Sequence, residues 1–203
     1  MATRANSSRE RILGVAESII LQKGFAGTTI EEILDKSAIT KGGFFYHFDG
    51  KLDLARSLVR RYIDMDNEVF ATFNARADEL SEDPLQQTLI FLNLLAEMVS
   101  GMTTVHPGCL VAAFVYETQQ FDDEIRELMC NGMLEWRNMM ARRIDKILEK
   151  YTPKMPVCTE SLADMFSSTL EGGIILARLY NDNSALIQQV QSYRTHLRLL
   201  FEP

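Results

Sequence analysis

Cysteine and histidine are scarce, with three of each in 203 residues. Cys109, Cys130 and Cys158 are odd in number and widely spaced, which argues against a disulfide framework or a zinc site built on paired thiols. A reducing, cytoplasmic home fits that usage. His47, His106 and His196 are scattered, with no HExxH-like ligand pair, so neither a metal nor a cofactor is expected. Long apolar runs are missing too. The longest uncharged stretch, Met98 to Tyr116, is interrupted by Ser100, Gly101, Thr103, Thr104 and His106-Pro107-Gly108. It reads as two buried helices meeting at a turn, not as a membrane span. Met1 to Glu10 is polar and lacks the apolar centre of a signal peptide, so a soluble chain with no membrane partner is expected. No segment alternates apolar and polar residues long enough to predict a strand, and neither repeats nor low-complexity tracts occur.

What is present is an apolar content of 46%, enough for a sizeable core. The net charge of −7 is unevenly spread. Residues 1–62 carry 10 Lys and Arg against 7 Asp and Glu, whereas residues 63–203 carry 11 against 21. A mildly basic head on an acidic body suits a module that grips a polyanion, fused to one that phosphates repel.

Periodicity predicts an all-α chain of about nine helices. The first spans about Ser7 to Lys23, with Ile12, Leu13, Ala16, Ile19 and Ile20 on one face and Gly24 as a left-handed stop. Thr28 or Thr29 caps the second, whose first turn holds Glu31 and Glu32. Thr40 caps a short third helix, Lys41 to Phe48, and Asp49-Gly50 ends it. The fourth runs from about Lys51 to Ala77, and five more fit at about 84–101, 108–119, 122–151, 159–181 and 184–201. The expected division is a head at 1–54 and a body at 55–203.

Residues 28–54, TTIEEILDKSAITKGGFFYHFDGKLDL, have the layout of helix, tight turn and short second helix that defines a helix-turn-helix. The short helix cannot fold alone and needs Ile39, Phe44 and Phe48 to hold it inward. Its outer face then offers Lys41, Gly42, Gly43, Tyr46 and His47. Two consecutive glycines cost helix propensity, and close backbone approach to DNA is a function that would compensate.

With Ile12, Leu13, Ala16, Ile19, Gly24-Phe25, Thr28-Thr29, Ile39-Thr40-Lys41-Gly42, Phe44 to Phe48, Lys51 and Leu54, the stretch 8–58 closely resembles the DNA-binding signature of the TetR family. The rest fits the nine-helix layout more loosely. The resemblance implies a one-component transcriptional regulator, foremost a repressor. It would bind a palindromic duplex operator as a homodimer and be released by a small-molecule inducer. By the same resemblance, Thr28 and Thr29 would hold phosphate at a helix N-terminus. Thr40 and Lys41 would lie near base edges, Gly42 would mark the backbone approach, and Tyr46, His47 and Lys51 would clamp phosphates. The family often has a hydroxyl residue or Asn where Gly43 stands, Tyr where Phe45 stands, and Gly where Ala38 stands. Base readout would therefore rest on few side chains, leaving a share to DNA shape.

In the body, a stripe of Ile125, Met129, Trp136, Met139, Met140 and Ile144 suits an adaptable apolar cavity. The candidate ligand-binding residues are Met98, Met102, Cys109, Phe114, Met133, Trp136, Met140 and Arg178; ordinary core packing explains most of them equally well, and a surface ion pair with Asp182 explains Arg178. The Gly108-Cys109-Leu110 triplet is similar to one in relatives that answer electrophiles or oxidants, which makes Cys109 a candidate sensing thiol; a small packing residue is the alternative. By resemblance the eighth and ninth helices dimerise, with Phe166, Leu170, Gly173 and Ile174 as the expected face. An intrachain crossing accounts for the glycines as well. The competing classes are an all-α cytosolic enzyme using Cys109 with His106, a thiol-dependent sensor without DNA binding, and a protein-interaction module with a degenerate head. No third group orients a Cys109–His106 pair, so the regulator is preferred over the enzyme.

Overall fold

The computed structural model describes residues 2–202. Among these residues there are nine α-helices and no strand, in the order α1 (Ala2–Lys23), α2 (Ile30–Ser37), α3 (Lys41–Phe45), α4 (Lys51–Leu80), α5 (Pro84–Ser100), α6 (Leu110–Val115), α7 (Asp123–Lys150), α8 (Thr159–Tyr180) and α9 (Ser184–Phe201), with a 3-10 turn at Thr118–Gln120 between α6 and α7. The all-α expectation holds.

Caps explain where several helices begin and end. Thr29 accepts the Glu32 N–H at 3.2 Å and starts α2, with Glu31 and Glu32 against the positive end of the helix dipole. Asp83 accepts the Gln86 N–H at 2.9 Å ahead of Pro84, the first residue of α5. Burial opposes the charge of Asp83, but hydrogen bonds from Lys150, Tyr151 and the Gln86 N–H outweigh it and hold the carboxyl at about 2. Asn181 closes α8 in the left-handed region at φ 55°, a conformation its short polar side chain tolerates.

Several boundaries differ from expectation. α1 starts at Ala2, five residues earlier. α3 ends at Phe45, and the following turn lets Phe48 fold back beside Phe44, with ring centroids 5.4 Å apart. α6 has six residues, half the expected length. Gly108 at φ 124° and an extended Cys109 delay its start, and the chain then tightens into the 3-10 turn.

The chain divides into two compact units, 1–65 with 107–131, and 66–106 with 132–203. The first is discontinuous, and its boundaries at 65/66 and 131/132 fall inside α4 and α7 rather than in linkers. Its core holds Ile12, Leu13, Ala16, Ile20, Ile33, Phe44, Phe48, Leu54 and Leu58, together with Phe25, Leu110, Phe114, Phe121 and Ile125. Arg61 of α4 pairs with Glu10 and Glu17 of α1, and Arg56 pairs with Asp122 and Glu124 at the start of α7.

The second unit is built on α9, which packs extensively on both α5 and α8. Its interior centres on five rings: Phe70 meets Phe91, Trp136 and Phe166, and Tyr193 meets Phe166. Each fully buried ring contributes about 1.5–3 kcal/mol of transfer free energy. The polar ends are satisfied. Tyr193 donates to the Leu162 carbonyl at 2.8 Å, and Trp136 Nε1 donates to Asn67 at 3.1 Å. Arg143, almost wholly buried, donates to Asn74 Oδ1 at 2.5 Å and pairs with Asp78 at 3.1 Å.

Candidate nucleic-acid interface

The second helix of the helix-turn-helix is held from three sides. Ala38 ends α2 in the left-handed region, φ 52° and ψ 40°, with its N–H on the Leu34 and Asp35 carbonyls. A side chain there carries a strain of about 1–2 kcal/mol that glycine avoids. Thr40 then caps α3, accepting the Gly43 N–H at 3.1 Å. Phe44 is completely buried and Phe48 nearly so, which anchors the five-residue helix where it packs on α1.

With that face inward, Thr40, Lys41, Gly42 and Tyr46 are exposed on the other, Tyr46 at 77%. Added bulk at Gly42 would meet nothing within 4 Å, so this backbone is open to an approaching surface. Thr29 is also exposed, at the N-terminus of α2. These five residues form the polar, partly cationic outer surface that the motif requires.

Four other expected DNA contacts are placed differently. Thr28 is 1% exposed and its hydroxyl donates to the Gly24 carbonyl at 2.7 Å, so it closes the α1–α2 turn instead of facing phosphate. Gly43 is turned inward, where a Cβ would stand 3.0 Å from Ile39 Cγ2 and 3.3 Å from the Thr40 hydroxyl. Its small size serves the cap and leaves no side chain to the groove. His47 is half-buried, with Nε2 2.8 Å from the Ser8 hydroxyl of α1. Lys51 donates to the Phe25 carbonyl at 2.5 Å and stands 4.2 Å from the centre of the Phe25 ring. Burial pushes its ammonium pKa down, and the Glu117 carboxylate counteracts this. A phosphate contact requires Lys51 to leave that carbonyl. Phe45, 45% exposed, adds an apolar surface beside Tyr46 that the sequence reading did not assign to DNA.

The candidates for the ligand and the dimer are dispersed. Cys109 and Phe114 belong to the first unit. Cys109 caps α6, its sulfur 3.4 Å from the Ala112 N–H, and is 9% exposed. Phe114 is completely enclosed, stacked 4.5 Å from Phe121 and 5.4 Å from Phe25. Met98, Met102, Met133, Trp136, Met140 and Arg178 belong to the second unit, where Trp136 and Met140 are buried and Met98 and Arg178 exposed. On α8, Phe166 is 1% exposed inside the ring cluster. At Gly173 a Cβ would meet Leu186 Cδ1 at 2.6 Å and Leu186 Cα at 3.1 Å, so the close approach is the intrachain crossing with α9. Ile174 is buried on the same side and Leu170 is half-buried. Phe166, Gly173 and Ile174 are thus covered within the chain. Periodicity showed an apolar face but could not distinguish inward from outward on a helix apolar on both sides.

A helix-turn-helix with a buried anchor and a polar outer face, on an all-helical chain, defines a DNA-binding regulator by class. Residues 12–58 match the family described as bacterial regulatory proteins, tetR family, and residues 84–193 match the tetracyclin repressor-like C-terminal domain. The chain belongs to the TetR family of transcriptional regulators, which are not enzymes. Similar proteins include the regulator LmrA of Bacillus subtilis, 26% identical with 89% of this chain and 91% of that one covered, and the repressor DhaR of a Mycobacterium species, 18% identical with 89% and 87% covered. Among solved structures, a TetR regulator from Chloroflexus aurantiacus shares the fold at a TM-score of 0.80 and 22% identity, with 98% of each chain covered. The reduced form of NemR from E. coli does so at 0.70 and 17%, with 96% of this chain and 97% of that one covered. No helix among the described residues is long and apolar enough to cross a membrane.

Proposed function

We propose that this chain is a cytoplasmic, homodimeric repressor that presents α3 from each protomer to successive major grooves of a palindromic operator and is released by a small-molecule inducer. One observation carries the proposal: α3 buries Phe44 while leaving Thr40, Lys41, Gly42 and Tyr46 outward. The similarity to DhaR, a repressor by name, supports the sign of regulation.

Two-fold symmetry needs a self-complementary face. On α8, Ser161, Met165, Ser168, Gly172, Ile175 and Leu179 recur at spacings of three and four, and all are exposed except the half-buried Gly172. On α9, Gln188, Ser192 and Leu199 follow a similar spacing along an open groove shared with Thr195 and His196. This stripe, one residue out of phase with the buried one, fits knobs-into-holes pairing with a second copy. The inducer site is assigned to the second unit around Met133, Trp136 and Met140, where methionine and aromatic side chains can adapt to an apolar ligand. Cys109 enters as the thiol whose modification would remove the cap of α6, as an electrophilic or oxidising inducer would require.

The test is fluorescence-polarisation titration of duplexes that the wild-type chain selects from a randomised pool. Lys41→Ala is expected to weaken binding about tenfold and to lower the salt slope by about one. An unchanged affinity and slope would remove α3 from the interface.

A further inference from the structure

Residues 107–131 pack with the head, although all of them lie in the stretch matched by the C-terminal family domain. Three of them, Phe114, Glu117 and Phe121, meet Phe25 in the turn between α1 and α2. Glu117, which follows α6, accepts the Phe25 N–H on one carboxylate oxygen and the Ala26 N–H on the other, each at 2.7 Å. Phe114 and Phe121 meet the Phe25 ring at centroid distances of 5.4 and 4.7 Å. Lys51 takes its carbonyl and covers its ring. Gly24, at φ 82°, shapes the turn so that a Cβ there would lie 2.5 Å from Glu117 Oε1. Two successive N–H groups converging after a left-handed residue form a concavity suited to an anion. Here the chain fills it with its own carboxylate, across more than ninety residues of sequence.

We infer that Glu117 is a positioning residue for operator recognition, with its two carboxylate oxygens fixing the α1–α2 turn and thereby α2 and the α3 it carries. The inference rests on the regulator reading. It assigns part of the reading geometry to a residue outside the helix-turn-helix itself. The α1–α2 turn leads directly into the Thr28 hydroxyl bond and the Thr29 cap, so a turn loosened at Phe25 passes its freedom to α2. Two parallel N–H donors require an acceptor on both arms. A carboxylate supplies this; a glutamine amide of the same size offers one acceptor and turns an NH₂ against the other N–H.

The test compares Glu117→Gln and Glu117→Ala with wild type on the duplex that wild type selects from a randomised pool. Operator affinity is expected to fall about tenfold in both, because charged hydrogen bonds are lost in both. Amide resonances of Phe25 and Ala26 are expected to shift together in the glutamine variant. A role in packing alone predicts that glutamine, which keeps the volume, binds as wild type; that result overturns the inference. Should neither variant fold, hydrogen exchange of the wild-type chain decides: slow exchange at Phe25 and Ala26 supports the latch, and exchange at the unprotected rate overturns it. Wild type that selects no duplex overturns the regulator reading together with the role of Glu117. Wild-type binding with unchanged glutamine-variant binding overturns the role of Glu117 alone.

Discussion

The two units stabilise their helices in different ways. In the second, α5, α8 and α9 are each at least 17 residues long and meet through a continuous cluster of rings, so packing along whole helix faces holds them. In the first, the functional element is five residues long and contains two glycines. It survives through single-residue devices: the Thr40 cap, the buried Phe44 and a left-handed Ala38. Around the α1–α2 turn, Phe25 is held through its N–H, its carbonyl and its ring. A large core distributes loss over many contacts, whereas a small reading element concentrates it in a few.

That contrast can be broken by equal injuries to both units. Phe44→Ala and Phe166→Ala each empty a fully buried ring site, and each is expected to lower stability by about 3–5 kcal/mol in chemical denaturation. Only Phe44→Ala should abolish operator binding in the population that stays folded, because only it removes the anchor of α3. Equal loss of binding in both variants would erase the distinction between the units.

A smaller effect is expected from Ile175→Arg on the outward stripe of α8. Sedimentation should show a monomer, and operator affinity should fall by about a hundredfold as the two heads cease to bind as one. A dimer that persists would place the symmetric contact elsewhere. Smallest is Ala38→Gly, which relieves the left-handed strain at the end of α2 and should stabilise the head by about 1 kcal/mol in thermal denaturation. Destabilisation instead would mean that the methyl group contributes more than the strain costs.

The head was more legible in the sequence than the body, for physical reasons. Caps, glycine stops and the inward phenylalanines act over three or four residues, so Thr29, Thr40, Phe44 and Phe48 could be placed from local pattern alone. Thr28 and Thr29 are adjacent hydroxyls with the same local signal. Only the fold shows one closing a turn and the other capping a helix. Glu117 carried no local signal at all, since its partners lie in the α1–α2 turn. On α8, apolar residues on both faces leave the phase of the stripe open in the sequence, and only the fold shows that the face around Phe166 and Gly173 is covered within the chain. The aromatic character of Phe114 suits a ligand pocket and a core equally, and only the fold shows its ring packed against Phe25 and Phe121.

The most direct test of the central claim is sequencing of the duplexes that the wild-type chain enriches from a randomised pool. Paired, outward-facing copies of α3 predict an inverted repeat whose half-site centres lie one helical turn of DNA apart, about 34 Å, or a multiple of that spacing. Enrichment of a single unpaired motif, or no enrichment over random duplex, would contradict it.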